Sequence, residues 1–235
     1  MRSLRPFERQ FRRAGRAGHG PRMLAEETPV ALSFNGVTHA VMMATPSDLE
    51  DFATGFSLNE GIVASLSDIE SIEAVEVEDG IDLQIRVTDE VGERLAKRRR
   101  AMAGPVGCGL CGVESIEEAV KPRAAVSSDF ALAAADIADA MAQLTKVQAM
   151  NAETGAVHAA GFWTPADGLK LAREDVGRHN ALDKLAGALA RGGVDGAQGA
   201  VLLTSRVSVE MVQKTATIGS PIILAVSAPT ALAVR

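Results

Sequence analysis

The sequence predicts an α/β protein built in layers: a mixed sheet with helices, preceded by an N-terminal α+β portion made of hairpins. Three observations carry this. In the second half, short apolar runs at 200–204 and 221–227 alternate with helical patterns, the arrangement that buries a sheet beneath helices. In the first half, Asn35-Gly36 and Asp79-Gly80 each sit between stretches that alternate apolar and polar residues, the strongest short-range hairpin signal. With 235 residues and 47% hydrophobic composition, the chain can bury one large core or two small ones.

Three segments follow. Residues 1–28 are arginine-rich and lack the apolar stretch of a secretory signal, so a basic, disordered arm is expected there. Residues 29–124 form the α+β portion. A strand at 30–34 turns through Asn35-Gly36 and returns over 37–45. Ser47 and Glu50 have the spacing of a capping box, opening a helix to about Leu58 with Leu49, Phe52, Ala53 and Phe56 on one face. The second hairpin spans 72–88, and a helix over Asp89–Met102 follows, carrying Lys97-Arg98-Arg99-Arg100 near its end. A further short helix is expected at 113–120, then a linker at Lys121-Pro122-Arg123. Residues 125–235 form the α/β portion. It contains an Ala-rich amphipathic helix at 136–148, a strand of small residues at 154–163, a returning strand at 169–173 and a helix continuing to about Ala190. A buried strand at 200–204, a helix at Val209–Ile218, a strand at 221–227 and a helix started by Ala228-Pro229-Thr230 complete it.

The chemistry-bearing stretch is Gly107-Cys108-Gly109-Leu110-Cys111-Gly112, which holds both cysteines of the chain. Glycines on every side leave the backbone free and the thiols uncovered. Such a pair serves zinc binding, dithiol redox exchange, or nucleophilic and sulfur-carrying chemistry. Zinc calls for four ligands, and neither a second cysteine pair nor a close histidine pair exists, which leaves only a mixed site with His158 and His179. A redox pair follows a strand and opens a helix, whereas here a helix precedes the loop. The basic run 97–100 is either a solvated helix end, favoured by the dipole, or a positive field that lowers a thiol pKa and attracts an anion.

A second dense stretch is Arg173-Glu174-Asp175-Val176-Gly177-Arg178-His179-Asn180-Ala181-Leu182-Asp183-Lys184, between a strand and a helix. That is a common ligand position in α/β sheets. Arg206 and Ser208 stand at another strand-to-helix turn and suit an anion. Glu210 and Lys214, at i and i+4, are expected to pair on their own helix face. Net charge is −6, so nucleic acid is not an expected partner. No window is long and apolar enough for a membrane helix, and two cysteines at this spacing suit a reducing, cytoplasmic compartment. GxxxxGK[ST] does not occur, and without His-x-Glu the zinc deaminase chemistry is excluded.

Taken together, the glycine-flanked cysteine pair, Thr154-Gly155-Ala156-Val157-His158-Ala159-Ala160-Gly161, the 173–184 run, and stretches 204–214 and 222–230 resemble the formate dehydrogenase accessory sulfurtransferase (FdhD) family. Asp51-Phe52-Ala53-Thr54-Gly55-Phe56 with Asn59-Glu60-Gly61-Ile62 belongs to the same likeness, which runs from about Pro29 to the end. The resemblance implies a cytidine-deaminase-like core without the deaminase zinc ligands, in a homodimer. It implies a sulfurtransferase that takes sulfur from a cysteine desulfurase as a cysteine persulfide. That sulfur passes to the molybdenum of the bis-molybdopterin guanine dinucleotide cofactor, which is bound as substrate before insertion into formate dehydrogenase. No resident metal or permanent cofactor is implied. Under this resemblance Cys108 is the persulfide carrier and Cys111 its helper or the alternative carrier; Arg178, His179, Asn180 and Arg206 are candidates for holding the cofactor. Chains of the family usually continue into a further strand and a basic segment that holds the guanine end, whereas this sequence ends at Arg235, so weak guanine-nucleotide binding is expected.

Overall fold

The computed structural model describes residues 2–13, 15–102 and 125–235. Cys108 and Cys111, the expected 113–120 helix and the linker at 121–123 lie outside the described residues.

The fold is mixed α/β, as the alternation of strand and helix patterns predicts. The first four-stranded sheet has the order β4-β3-β6-β5. Its strands are β3 (Thr28–Phe34), β4 (Val37–Ala44), β5 (Ile69–Val77) and β6 (Gly80–Val87). Asn35 and Gly36 both take positive φ, 47° and 79°, as the twist-matched two-residue hairpin requires. β3 pairs parallel with β6 and antiparallel with β4, so two hairpins join through their inner strands. Helices α1 (Leu49–Asn59) and α2 (Asp89–Met102) cover one face. Phe52, Ala53, Phe56, Val91 and Leu95 pack there against Val30, Leu32, Leu83 and Ile85.

The second sheet has the order β10-β9-β7-β8, formed by β7 (His158–Thr164), β8 (Gly168–Asp175), β9 (Ala200–Leu203) and β10 (Ile222–Ala225). Helices α3 (Ala134–Val147) and α4 (Ala149–Thr154) precede it. Helices α5 (Arg178–Arg191), α6 (Val209–Ile218) and α7 (Ala231–Val234) are interleaved with its later strands. One face buries Phe162, Val201 and Leu203 under Leu182, Leu185, Leu189 and Met211 of α5 and α6. The other buries Trp163 and Leu202 under Ala140 and Leu144 of α3. The result is a sheet between two helical layers.

The two halves meet where α1 crosses α5. A Cβ on Gly55 would lie 1.7 Å from the Asp183 carbonyl oxygen, and one on Gly187 would lie 1.9 Å from that of Asp51. Only glycine lets the two backbones approach this closely.

Several expectations are corrected. Residues 1–28 are not a disordered arm: β1 (Leu4–Arg13) and β2 (Arg16–Ala25) form an antiparallel hairpin. The α1 cap is Asp48, at φ 51°, with no side-chain cap, rather than Ser47. Thr154 closes α4, and Gly155, at φ 63°, terminates it, so the strand of small residues begins only at His158. A glycine at the left-handed position after a helix is a stop signal that the apolar pattern masked. Among the described residues no helix is long and apolar enough to cross a membrane.

Candidate functional site

β8 and β9 both pair antiparallel with β7, so their carboxyl ends emerge at one edge of the sheet. The amino termini of α5 and α6 follow at that edge. β10 pairs parallel with β9, and the loop after it bridges back from Pro229 to Val207. His158, which opens β7, pairs with Asp175 at the end of β8. Strand ends of one polarity with helix amino termini behind them make a setting for an anion.

The charged run 173–184 divides into two sets. Most of it bolts elements together. Arg173 donates to Asp51 of α1, and Asp51 also pairs with Arg191. Both oxygens of Glu174 accept from the backbone amides of Met150 and Asn151, satisfying the open start of α4. Asp175 and Lys184 form an ion pair at 2.7 Å with both side chains fully buried. Asp175 also accepts from the amides of Thr45 and Gly177, and Lys184 donates to the Thr45 carbonyl. Burial pulls Lys184 below its ordinary pKa, and Asp175 opposes that shift. Asn180 is buried, its amide nitrogen donating to Met43 O and Asp175 Oδ1, so that nitrogen is committed to the scaffold rather than turned to a ligand. Asp183 accepts from Lys214 and Asn59. Burial raises the Asp183 pKa. Lys214 is held charged: burial opposes ionisation, but Asp183 and Glu60 outweigh it and raise its pKa.

The second set faces the sheet edge. Arg178 is the first residue of α5. Its Nε is buried and has no hydrogen-bond partner among the described residues, an orphaned donor that suits an anionic group. His179 lies 2.9 Å from Glu210 through Nε2, and Ser208 donates to the same carboxylate oxygen, tying the starts of α5 and α6 together. Burial and then the Arg178 charge lower the His179 pKa against the pull of Glu210. Burial opposes ionisation of Glu210, but hydrogen bonds from His179 and Ser208 outweigh it and lower its pKa. The pair is therefore a carboxylate accepting from a neutral imidazole. His158 is lowered too, by burial and then by Arg178. Arg206 stands exposed in the turn between β9 and α6. The edge thus gathers the Arg178 guanidinium beside two histidines of lowered pKa, with a second arginine in the neighbouring turn.

Reading the sequence alone missed Glu210 and His158 as members of this edge. The i,i+4 spacing assigned Glu210 to Lys214. In the fold both reach across to α5 instead: Glu210 bonds His179, and Lys214 bonds Asp183 and, just past α1, Glu60. His158 entered only as a possible partner of His179 in a mixed zinc site, because its neighbours at the edge arrive through strand pairing.

A titration follows from this geometry. The NMR midpoint of His179 is expected below the ordinary 6.5. Arg178→Ala should move it up, and Glu210→Gln should move it further down. A midpoint at or above the ordinary value would contradict the assignment. As pH falls through the ordinary histidine range the unfolded chain takes up this proton first, so the residue's contribution to stability declines from there downward.

Comparison with known proteins decides the family. The model of the FdhD/NarQ family matches residues 25–235. The chain belongs to this family. A curated relative from Agrobacterium fabrum named "Sulfur carrier protein FdhD" is 54% identical over 234 residues, covering 99% of this chain and 86% of that protein. One of the same name from Cupriavidus necator is 56% identical over 224 residues, covering 95% and 77%. A crystal structure described as a formate dehydrogenase accessory protein, from Desulfotalea psychrophila, superposes with a TM-score of 0.73. It is 25% identical, over 99% of this chain and 86% of that one. The FdhD/NarQ match spans both halves of the fold, and so includes the α1–α5 crossing and the sheet edge as well as the cysteine pair.

Proposed function

We propose that this protein is a sulfur carrier. It accepts sulfane sulfur from a cysteine desulfurase as a persulfide on Cys108 and delivers it to the molybdenum of bis-molybdopterin guanine dinucleotide in support of formate dehydrogenase. The observation that carries the reading is identity above one half, across nearly the whole chain, to proteins named sulfur carriers. The cysteine pair supplies the chemistry. The Cys108 thiolate attacks the terminal sulfur of the donor's persulfide. The donor's cysteine leaves as thiolate, and the sulfur and its proton stay on Cys108 with no net redox change. The Cys111 thiolate can then attack Cys108 Sγ, forming a disulfide and expelling hydrosulfide, which provides the two electrons that reduce sulfane sulfur to sulfide.

The sheet edge supplies the binding. The cofactor's pyrophosphates are anionic, and Arg178, with its orphaned Nε, is the residue best placed to receive one, with Arg206 in the turn after β9. Neutral His179 gives its Nε2–H to Glu210, which leaves Nδ1 to accept from a donor group of the ligand without adding a charge. A homodimer, and the reducing cytoplasm that keeps thiols free, belong to the same reading.

The test has two stages. Desulfurase and cysteine should load sulfur onto a thiol, and loaded protein should raise the activity of formate dehydrogenase assembled in its presence. Loading without activation would leave a carrier and remove the molybdenum step. No loading would remove the carrier.

A further inference from the structure

The β1–β2 hairpin is unlike the rest of the molecule. Residues 2–25 hold seven arginines against one glutamate, a formal charge of +6; the whole chain carries −6, leaving −12 on the remainder. The FdhD/NarQ match begins at residue 25, where β2 ends, so the hairpin lies outside the matched region. Successive side chains alternate between the faces of a strand, which puts Arg5, Phe7, Arg9 and Phe11 on one face. Their partners on β2 are Leu24, Arg22, Gly20 and Gly18. Gly18 makes room for the Phe11 ring, whose Cζ would lie 3.0 Å from an added Cβ. Arg9 stacks on that ring at 5.0 Å. Phe7 is 54% exposed and Phe11 40%. The exposed part of the face is therefore Phe7 and Phe11 with the Arg9 guanidinium, residue types common at interface centres.

The root of the hairpin is fixed. Arg22 donates to the Thr154 carbonyl at 2.7 Å, and Arg5 pairs with Glu26. Thr154 closes α4, just before His158 at the sheet edge that holds Arg178. Whatever binds the hairpin is thereby brought alongside that edge.

We propose that this hairpin is the docking arm for the enzyme the protein serves, and that it grips an acidic surface with an apolar centre. The proposal rests on the reading that a formate dehydrogenase is served. The net −12 of the body works against an acidic partner, and the +6 of the arm supplies attraction. A nucleic acid fits less well: a long phosphate backbone would run off the short arm onto the acidic body. Placement beside the edge that would hold the cofactor selects the protein that takes the finished cofactor, rather than the sulfur donor.

The experiment measures binding of the full chain to cofactor-free formate dehydrogenase by calorimetry, with sulfur loading by a desulfurase in parallel. Variants are Arg9→Glu and Phe7→Ala/Phe11→Ala, all at exposed positions outside the sheet edge. The charge reversal is expected to weaken dehydrogenase binding on the order of tenfold or more, the wild-type affinity is expected to fall with added salt, and both variants are expected to load sulfur at the wild-type rate. Unchanged dehydrogenase binding in both variants overturns the proposal. So does slowed loading with binding kept, which puts the donor on the arm. Loss of binding to an RNA oligonucleotide, or of a dimer by light scattering, with dehydrogenase binding intact would make the occupant a nucleic acid or a second copy, and also overturns it. Wild-type protein that loads sulfur but does not bind the dehydrogenase overturns docking alone, whereas failure to load overturns the carrier reading.

Discussion

Asp175→Ala is expected to destabilise the protein by about 3–5 kcal/mol, a large share of the roughly 5–15 kcal/mol that holds a domain folded. Asp175 and Lys184 are both fully buried at 2.7 Å. Removing the carboxylate leaves the ammonium only the Thr45 carbonyl, and it orphans the amides of Thr45 and Gly177. Burial already pulls Lys184 below its ordinary pKa and Asp175 opposes that, so without Asp175 it falls further. The folded variant then holds fewer protons than the unfolded chain, and its stability should recover as pH rises toward the ordinary lysine range. Urea denaturation across that range checks both statements. Asp175→Leu/Lys184→Met should lose less than the single change, because no buried charge remains. A single variant as stable as wild type would contradict the buried bolt.

Gly187→Ala is the second large effect. Alanine is the better helix former by about 1 kcal/mol, so propensity alone predicts a gain. Contact decides otherwise. The added Cβ would lie 1.9 Å from the Asp51 carbonyl oxygen, a backbone atom that cannot rotate away. Separating α1 from α5 would also pull Asp51 from Arg173 and Arg191. The net loss is expected at the upper end of the roughly 1–3 kcal/mol of overpacked cores, or beyond it. Gly55→Ala, at 1.7 Å from the Asp183 carbonyl oxygen, should match it. A gain in thermal midpoint for either would show that the crossing is looser than described.

Elements whose signal is local were legible in the sequence. The hairpin turn at Asn35-Gly36, α1 with Phe52 and Phe56 inward, α2, and α6 at Val209–Ile218 all follow from turn chemistry or periodicity. The hairpin at the amino terminus was not, because arginine and glycine among few apolar residues carry no strand pattern. What orders it is a cross-strand register together with a root tied to Thr154. The 173–184 run shows the same divide at the site. Its density of charge was visible, but which charges bolt the fold and which face the edge depends on partners more than a hundred residues away, such as Thr45 for Asp175 and Asp51 for Arg173. Arg178 and His179 kept the place the sequence assigned them at the head of a helix, while Asn180 proved to be one of the bolts.

The most direct test of the central claim is the intact mass of the protein after incubation with a cysteine desulfurase and cysteine, for wild type, Cys108→Ala and Cys111→Ala. Wild type is expected to gain one sulfur, roughly 32 Da, as a persulfide that a reductant removes. Cys108→Ala is expected to lose the gain and Cys111→Ala to keep it. Loss only with Cys111→Ala would move the carrier to the other cysteine. No sulfur gain in any form, with wild type instead losing two hydrogens on oxidation, would contradict the sulfur carrier and leave a dithiol oxidoreductase.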